Sequence, residues 1–188
     1  FFYNDFVDHY CQVPDKFPLD KFHQLGNGRG KTILIVGESP AANGWRVSGR
    51  AFYTPDGKLL PSGKRLNELL FPLGLSVETC GFTELVKCFV GKNRKILASC
   101  SQGCWSIFLK QLKSAKYRLI IILGVETMRI FNELTKTNLQ TGIISKIVVD
   151  NQKYTILPIY HPSPINPHGQ RKNKFIFKSQ ELAKLFHL

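Results

Sequence analysis

Short, continuous apolar runs alternate along this chain with stretches in which apolar residues return every three or four positions. Ile33-Leu34-Ile35-Val36, closed by Gly37, has the length and β-branched content of a buried parallel strand. Leu66, Leu69, Leu70 and Leu73 recur at helical spacing; Pro61-Ser62-Gly63 opens that helix and Gly74 ends it. Residues 79–88, TCGFTELVKC, form a second, less continuous strand candidate, and a basic loop, Lys92-Asn93-Arg94-Lys95, leads into a helix near 101–113. YRLIIIL over 117–123 is the clearest strand after the first; Gly124 stops it and a helix through Met128, Ile130, Phe131 and Leu134 follows. KIVVD at 146–150 and KYTILPIY at 153–160 predict a hairpin around Asn151-Gln152 whose second arm feeds His161. A last helix over 178–187 carries Leu182, Leu185 and Phe186 on one face. Strands alternating with helices predict an α/β fold, a three-layer α/β/α sandwich around a mostly parallel central sheet of about four strands.

A chain of 188 residues suits a single domain over 1–188. Its first 30 residues read as an extension packed on the body: a short helix rich in Phe1, Phe2, Tyr3, Phe6 and Tyr10, then a loop through Pro14, Pro18, Gly26, Gly28 and Gly30. No apolar run approaches a membrane span and no charged-then-apolar leader precedes the fold. The expectation is an intracellular monomer with no membrane partner, cytoplasmic and nucleoid-associated or nuclear, whose natural start is not Phe1.

Charge narrows the partner. The 26 Lys and Arg against 13 Asp and Glu leave a net +13, with a pI near 9.7, the footprint of a polyanion binder. The cations are not gathered on an amphipathic surface helix, which favours nucleic acid over an acidic membrane.

Two loops carry site-like chemistry. The first strand delivers Gly37, Glu38, Ser39, Pro40, Ala41 and Ala42, then Arg46, Arg50 and the pair Phe52-Tyr53: a carboxylate, small residues that admit a ligand to the backbone, and cations beside aromatics. Tyr160-His161-Pro162-Ser163-Pro164-Ile165-Asn166 follows a later apolar run. Loops leaving the carboxyl ends of neighbouring parallel strands converge on one crevice, so these two are expected to face each other.

The motifs GESPAANGWRVSGRAF, LVKC, IIILG and HPSPIN, in that order over residues 31–188, resemble the uracil-DNA glycosylase superfamily. The opening GESP resembles the GEAPG of its iron–sulfur, thermophile-type members, and PAANGWRVSGRAF resembles the GLAPAxxGxxRTGRxF of its broader-specificity members. The resemblance implies base excision repair by base flipping: hydrolysis of a deaminated base, uracil foremost, from double- or single-stranded DNA, leaving an abasic site. The competing readings are a glycosylase for hypoxanthine or xanthine, and a DNA-binding module that has lost the chemistry.

Breaking an N-glycosidic bond puts positive charge on the sugar and negative charge on the departing base. His161, on a Pro-flanked turn, is placed to donate a hydrogen bond to the base oxygen where that charge gathers. Glu38 matches the GEAPG glutamate and is the leading general base or oxocarbenium stabiliser; Asp56 is the second candidate, one residue late against the broader-specificity pattern. Phe52 matches the stacking aromatic, while Gly37 and Ser39 line the base. Ser163 is expected on a phosphate and Ile165 at the wedge that fills the vacated stack. Arg46, Arg50, Arg171 and Lys172 are expected on DNA, the last two in a basic loop running from Asn166 to Lys174.

Glu84 departs from the family. It stands where the ITNVVKC pattern has the asparagine that reads the uracil edge, and an ionised carboxylate accepts hydrogen bonds without donating any. Glu84 is therefore protonated by burial, turned elsewhere by a register slip, or reads a base with an exocyclic amine. The cysteines leave a similar choice. Cys88 and Cys104 reproduce the spacing of two cluster ligands, Cys11 is alone where a CxxC is expected, and Cys100 lies one helical turn before Cys104. They are candidates for a structural 4Fe-4S cluster or zinc, or are buried thiols, and catalysis itself is expected to need no cofactor.

Overall fold

The computed structural model describes residues 22–42, 44–91 and 93–186. Five strands form one sheet in the order β2-β1-β3-β5-β4: β1 Ile33–Gly37, β2 Gly81–Glu84, β3 Leu119–Leu123, β4 Ser145–Val149 and β5 Gln152–Ile159. β1 pairs in parallel with β2 and β3, β3 pairs in parallel with β5, and β4 alone is antiparallel, closing a hairpin with β5. The sheet has one strand more than the sequence predicts because both hairpin arms join it. Among the described residues six α-helices connect and cover the strands: α1 Trp45–Ser48, α2 Pro61–Leu70, α3 Leu97–Lys113, α4 Val125–Thr135, α5 Pro167–Phe177 and α6 Gln180–Phe186.

The continuous apolar runs become three layers because successive side chains of a strand point to opposite faces. Ile33 and Ile35 of β1, with Leu119 and Ile121 of β3, pack on the side of Leu66, Leu69 and Leu70 of α2 and Leu182 of α6. Leu34, Val36, Ile120 and Ile122 pack on the other side against Leu97, Phe108 and Leu112 of α3 and Ile130 and Phe131 of α4. Each central strand is thus fully buried, which is why it reads as a solid apolar run.

Four differences from the expectation bear on the site. The second strand spans Gly81–Glu84 rather than 79–88, so Glu84 is its last residue. The third helix begins at Leu97, and a short α1 interrupts the loop after β1. Residues 167–177, expected as a basic loop, form α5 instead: the Asn166 side chain accepts from the Gly169 N–H at 2.9 Å and Pro167 occupies the first helical position. The expected N-terminal helix lies outside the described residues. Among those described, Gln24 bridges the outer edge of β2 through N–H and C=O bonds of 2.8 and 2.6 Å to Phe82, and no helix is long and apolar enough to cross a membrane.

This edge packing leaves no room for a side chain at Gly30, where an added Cβ would lie 2.3 Å from the Thr79 carbonyl oxygen. Gly30→Ala is expected to lower stability by about 1–3 kcal/mol, read as a lower urea midpoint; an unchanged midpoint would contradict this close approach.

Candidate active site

The site follows from the strand order. The chain leaves β1, returns in parallel as β2 on one side, then crosses to β3 on the other, so connections diverge at the carboxyl end of β1 and open a crevice there. A cavity of about 440 Å³ fills it, lined among others by Glu38, Phe52, Phe82, Glu84, Thr127 and His161. A second concavity of about 370 Å³ lies at the opposite ends of the strands beside Arg29, Tyr117, Arg118, Lys146 and Lys153, and among the described residues its lining holds no carboxylate and no imidazole. The two sizes are similar, so chemistry marks the first as the candidate active site.

Glu38 is the first side chain beyond β1. Its main chain is fixed by a 2.9 Å bond from the Val86 N–H to its carbonyl, and Arg94 pairs with its Oε2 at 2.6 Å. The carboxylate is thereby held at the cavity wall, with the more exposed guanidinium on its outer side. A carboxylate so placed can take a proton from water or stabilise a nearby cation.

Phe52 turns its ring into the cavity and meets Phe82 edge to face at a centroid distance of 4.9 Å. Its φ is +64°, a left-handed conformation that bulky residues rarely adopt. Surrounding structure imposes it: the Leu60 N–H bonds to the Phe52 carbonyl at 2.8 Å and Gly63 of α2 packs against its Cβ. Backbone strain of this kind collects where a side chain must be aimed.

His161 follows β5. Its turn is clamped by α5, whose fully buried Asn173 accepts from the Tyr160 N–H at 3.0 Å and donates to the Tyr160 carbonyl at 2.8 Å. Arg65 of α2 donates to the Ser163 carbonyl at 3.1 Å, and Gln170 of α5 donates to the Arg65 carbonyl at 3.0 Å. The imidazole reaches solvent through the cavity, yet protein surrounds it closely enough for burial to pull its pKa below the ordinary 6.5, against the opposing pull of the Glu38 charge. A neutral imidazole can donate one hydrogen bond to an anion without itself being an acid.

Glu84 closes the inner wall. It is only 6% exposed, and its Oε2 accepts a 2.8 Å bond from the indole N–H of Trp45, which is wedged edge-on against Phe22 and Phe82. Opposite it in register stands Gly37, where an added Cβ would meet the Glu84 Cγ at 3.1 Å and Oε1 at 3.4 Å. Lys87 lies behind, fully buried, with its ammonium on the Glu84 main-chain carbonyl and 2.9 Å from Thr83 Oγ1. Burial raises the Glu84 pKa to about 8 against the Trp45 hydrogen bond and the Lys87 charge; burial lowers that of Lys87 to about 7.

The other expected residues are placed variously. Gly37 and Ser39 line the cavity. Asp56 does not; it sits exposed in the turn after Phe52, held well below the usual carboxylate range by Lys58 at 2.8 Å and by the Thr54 hydroxyl. Arg50 pairs with Glu78 at 2.8 Å and lies over the Tyr53 ring at 3.8 Å, away from the cavity lining, while Arg46 is half-buried on α1. Ile165 is 91% exposed at the tip of the turn carrying Ser163, and Arg171 and Lys172 are exposed on α5 just beyond. Cys88, Cys100 and Cys104 are buried, and the Lys87 N–H bonds to the Cys104 Sγ at 3.4 Å. No three His, Cys, Asp or Glu side chains among the described residues gather as a metal site, and Cys11 lies outside them, so the described cysteines do not by themselves fit a cluster or zinc.

Sequence reasoning missed Trp45, Arg65, Arg94 and Asn173. Each acts across more than 10 residues of chain, and only the Asn-Pro pair opening α5 offered a local signal, for the helix that carries Asn173.

Known proteins resemble this chain in sequence. A family model of the Uracil DNA glycosylase superfamily matches residues 23–183. The chain is similar to a type-4 uracil-DNA glycosylase of Saccharolobus solfataricus, 31% identical over 162 residues that cover 81% of this chain and 71% of the relative. It is also similar to a type-4 uracil-DNA glycosylase of Archaeoglobus fulgidus, 25% identical over 166 residues, covering 86% and 79%. A type-5 uracil-DNA glycosylase of Pyrobaculum aerophilum is 29% identical over 152 residues, covering 74% and 64%. Matched by the family model over most of its length and built on a mostly parallel sheet, this chain belongs to the uracil DNA glycosylase superfamily.

Proposed function

We propose that this protein is a monofunctional DNA glycosylase that hydrolyses the N-glycosidic bond of a flipped-out deaminated base, uracil foremost, and leaves an abasic site. The observation that carries this reading is the convergence of Glu38, Phe52 and His161 on one cavity from three separate parts of the chain. The flipped pyrimidine stacks on Phe52. As the sugar–base bond breaks, its electron pair goes to the base and the His161 N–H stabilises the resulting anion. A water oxygen bonds to the sugar carbon from which the base departs, and Glu38 takes the proton that the water loses. Arg94, on the outer oxygen of Glu38, holds the carboxylate in place for that step.

DNA approaches the cavity mouth. Ile165, exposed at the tip of its turn, enters the gap left by the base, and Ser163, Arg171 and Lys172 take phosphates on either side. The net charge of +13 supports DNA over a free nucleoside as substrate.

The test is cleavage of end-labelled oligonucleotides containing uracil, hypoxanthine, xanthine or thymine, followed by alkali. Uracil is expected to be released, with His161→Ala slowing the reaction by about 10²–10³ and Glu38→Ala by about 10²–10⁴. No cleavage of any base, with salt-sensitive DNA binding retained, would overturn the reading in favour of a binding module.

Burial favours the neutral imidazole, which still donates one hydrogen bond. In an NMR titration the His161 ring is expected to titrate below the ordinary 6.5, and Glu38→Gln to lower it further by removing the charge that now raises it. A midpoint above 6.5 would contradict the dominance of burial over the Glu38 charge at this ring.

A further inference from the structure

The cavity holds a carboxyl group that the hydrolysis does not use. Glu84 points into it from the end of β2, buried, and among the described residues no cation lies within ion-pair distance of its carboxyl. Lys87, whose charge acts on the group, is turned away, its side-chain nitrogen spent on the Thr83 hydroxyl and on the main-chain carbonyl of Glu84. A buried carboxylate without a cation is costly, and the group avoids the cost by keeping its proton.

The two oxygens are not equivalent. Oε2 accepts the indole N–H of Trp45 and so acts as the carbonyl of the acid. Oε1 stands over Gly37, on the cavity floor, with no hydrogen-bond partner among the described residues. The proton therefore belongs on Oε1, aimed into the space a base would fill. We propose that Glu84 is the specificity residue of this site and reads the base as a neutral acid, its Oε1–H donating to the base carbonyl farthest from the sugar. For uracil that carbonyl is O4, because Glu84 lies at the inner wall while the sugar stays at the mouth. The inference rests on the glycosylase reading above and adds which face of the base is read, and in which protonation state.

Ionisation would invert the preference. As a carboxylate, Glu84 only accepts hydrogen bonds; it repels O4 and suits an exocyclic amine such as that of cytosine. The charged and titratable groups around it are Glu38 after β1, Lys87 after β2, Arg94, Glu126 at the start of α4, and His161 after β5. Burial places the titration of Glu84 near pH 8, so the neutral acid prevails below that value and the carboxylate above it.

The experiment measures binding of oligonucleotides carrying 2′-fluoro-deoxyuridine or 2′-fluoro-deoxycytidine, whose sugar fluorine blocks hydrolysis, at about pH 6.5 and about pH 9. Native protein is expected to prefer uracil by about tenfold or more at the lower pH, the discrimination of a good base-edge contact, and to lose most of that preference at the higher. In Glu84→Gln, whose amide cannot ionise, the ratio is expected to change much less, and the comparison of the two proteins cancels the titration of the base and of Lys87. A native ratio that does not change, or a Gln variant whose ratio changes equally, would overturn the proposal. Where the variant does not fold, native protein is tested with 2-pyrimidinone, which lacks O4: its affinity is expected to stay level while that for uracil falls, and equal falls would overturn the proposal. Cleavage of deoxyuridine is followed in parallel. Its absence alongside the pH-dependent preference sinks the hydrolytic reading and leaves the Glu84 assignment standing.

Discussion

The register between β1 and β2 governs the site. Gly37, the last residue of β1, stands opposite Glu84, the last residue of β2, and the missing side chain of the glycine gives the glutamate its place on the cavity floor. A slip of one residue would turn Glu84 onto the other face of the sheet, since side chains alternate along a strand. The same pair of strand ends leads Glu38 to the wall on one side and Val86 to the bond that fixes it on the other. His161, from β5, and Phe52, from the loop between α1 and α2, complete an enclosure whose walls come from distant parts of the chain.

Burial does the electrostatic work inside this enclosure. It pushes Glu84 towards the neutral acid and His161 towards the neutral imidazole, while Glu38 pairs with the exposed Arg94. Two neutral donors, Glu84 and His161, and the carboxylate of Glu38 around a single pocket suit a reaction that separates charge between a sugar and a planar base. The pocket is shaped by hydrogen bonds that fix backbone rather than substrate: Asn173 grips Tyr160 on both sides, and Arg65 and Gln170 tie the neighbouring turn to α2.

The sheet was legible because its central strands are buried on both faces. Ile33–Val36 and Leu119–Leu123 have no polar alternation to confuse with anything else. The fifth helix was not legible, and the reason is physical. Its inward face is Gly169, Gln170, Asn173 and Phe177, two of them polar and buried because they bond to backbone, so the apolar period that announces a helix is missing. Glu38, Phe52 and His161 could be picked out because each follows a strand or loop with its own local motif. Asp56 shared that proximity in sequence, but its turn carries it out to Lys58 and solvent. The state of Glu84 could not be read from sequence, since burial, Trp45 and the orientation of Lys87 are all products of tertiary structure.

The most direct measurement is a crystal structure of the protein bound to DNA containing a non-hydrolysable 2′-fluoro-deoxyuridine. The account predicts the uracil ring inside the cavity, stacked on Phe52, with His161 on one of its carbonyl oxygens, Glu84 Oε1 on O4, and Ile165 in the vacated stack. A uracil left in the duplex, or seated beside Arg118 and Lys146 at the opposite edge of the sheet, would contradict it.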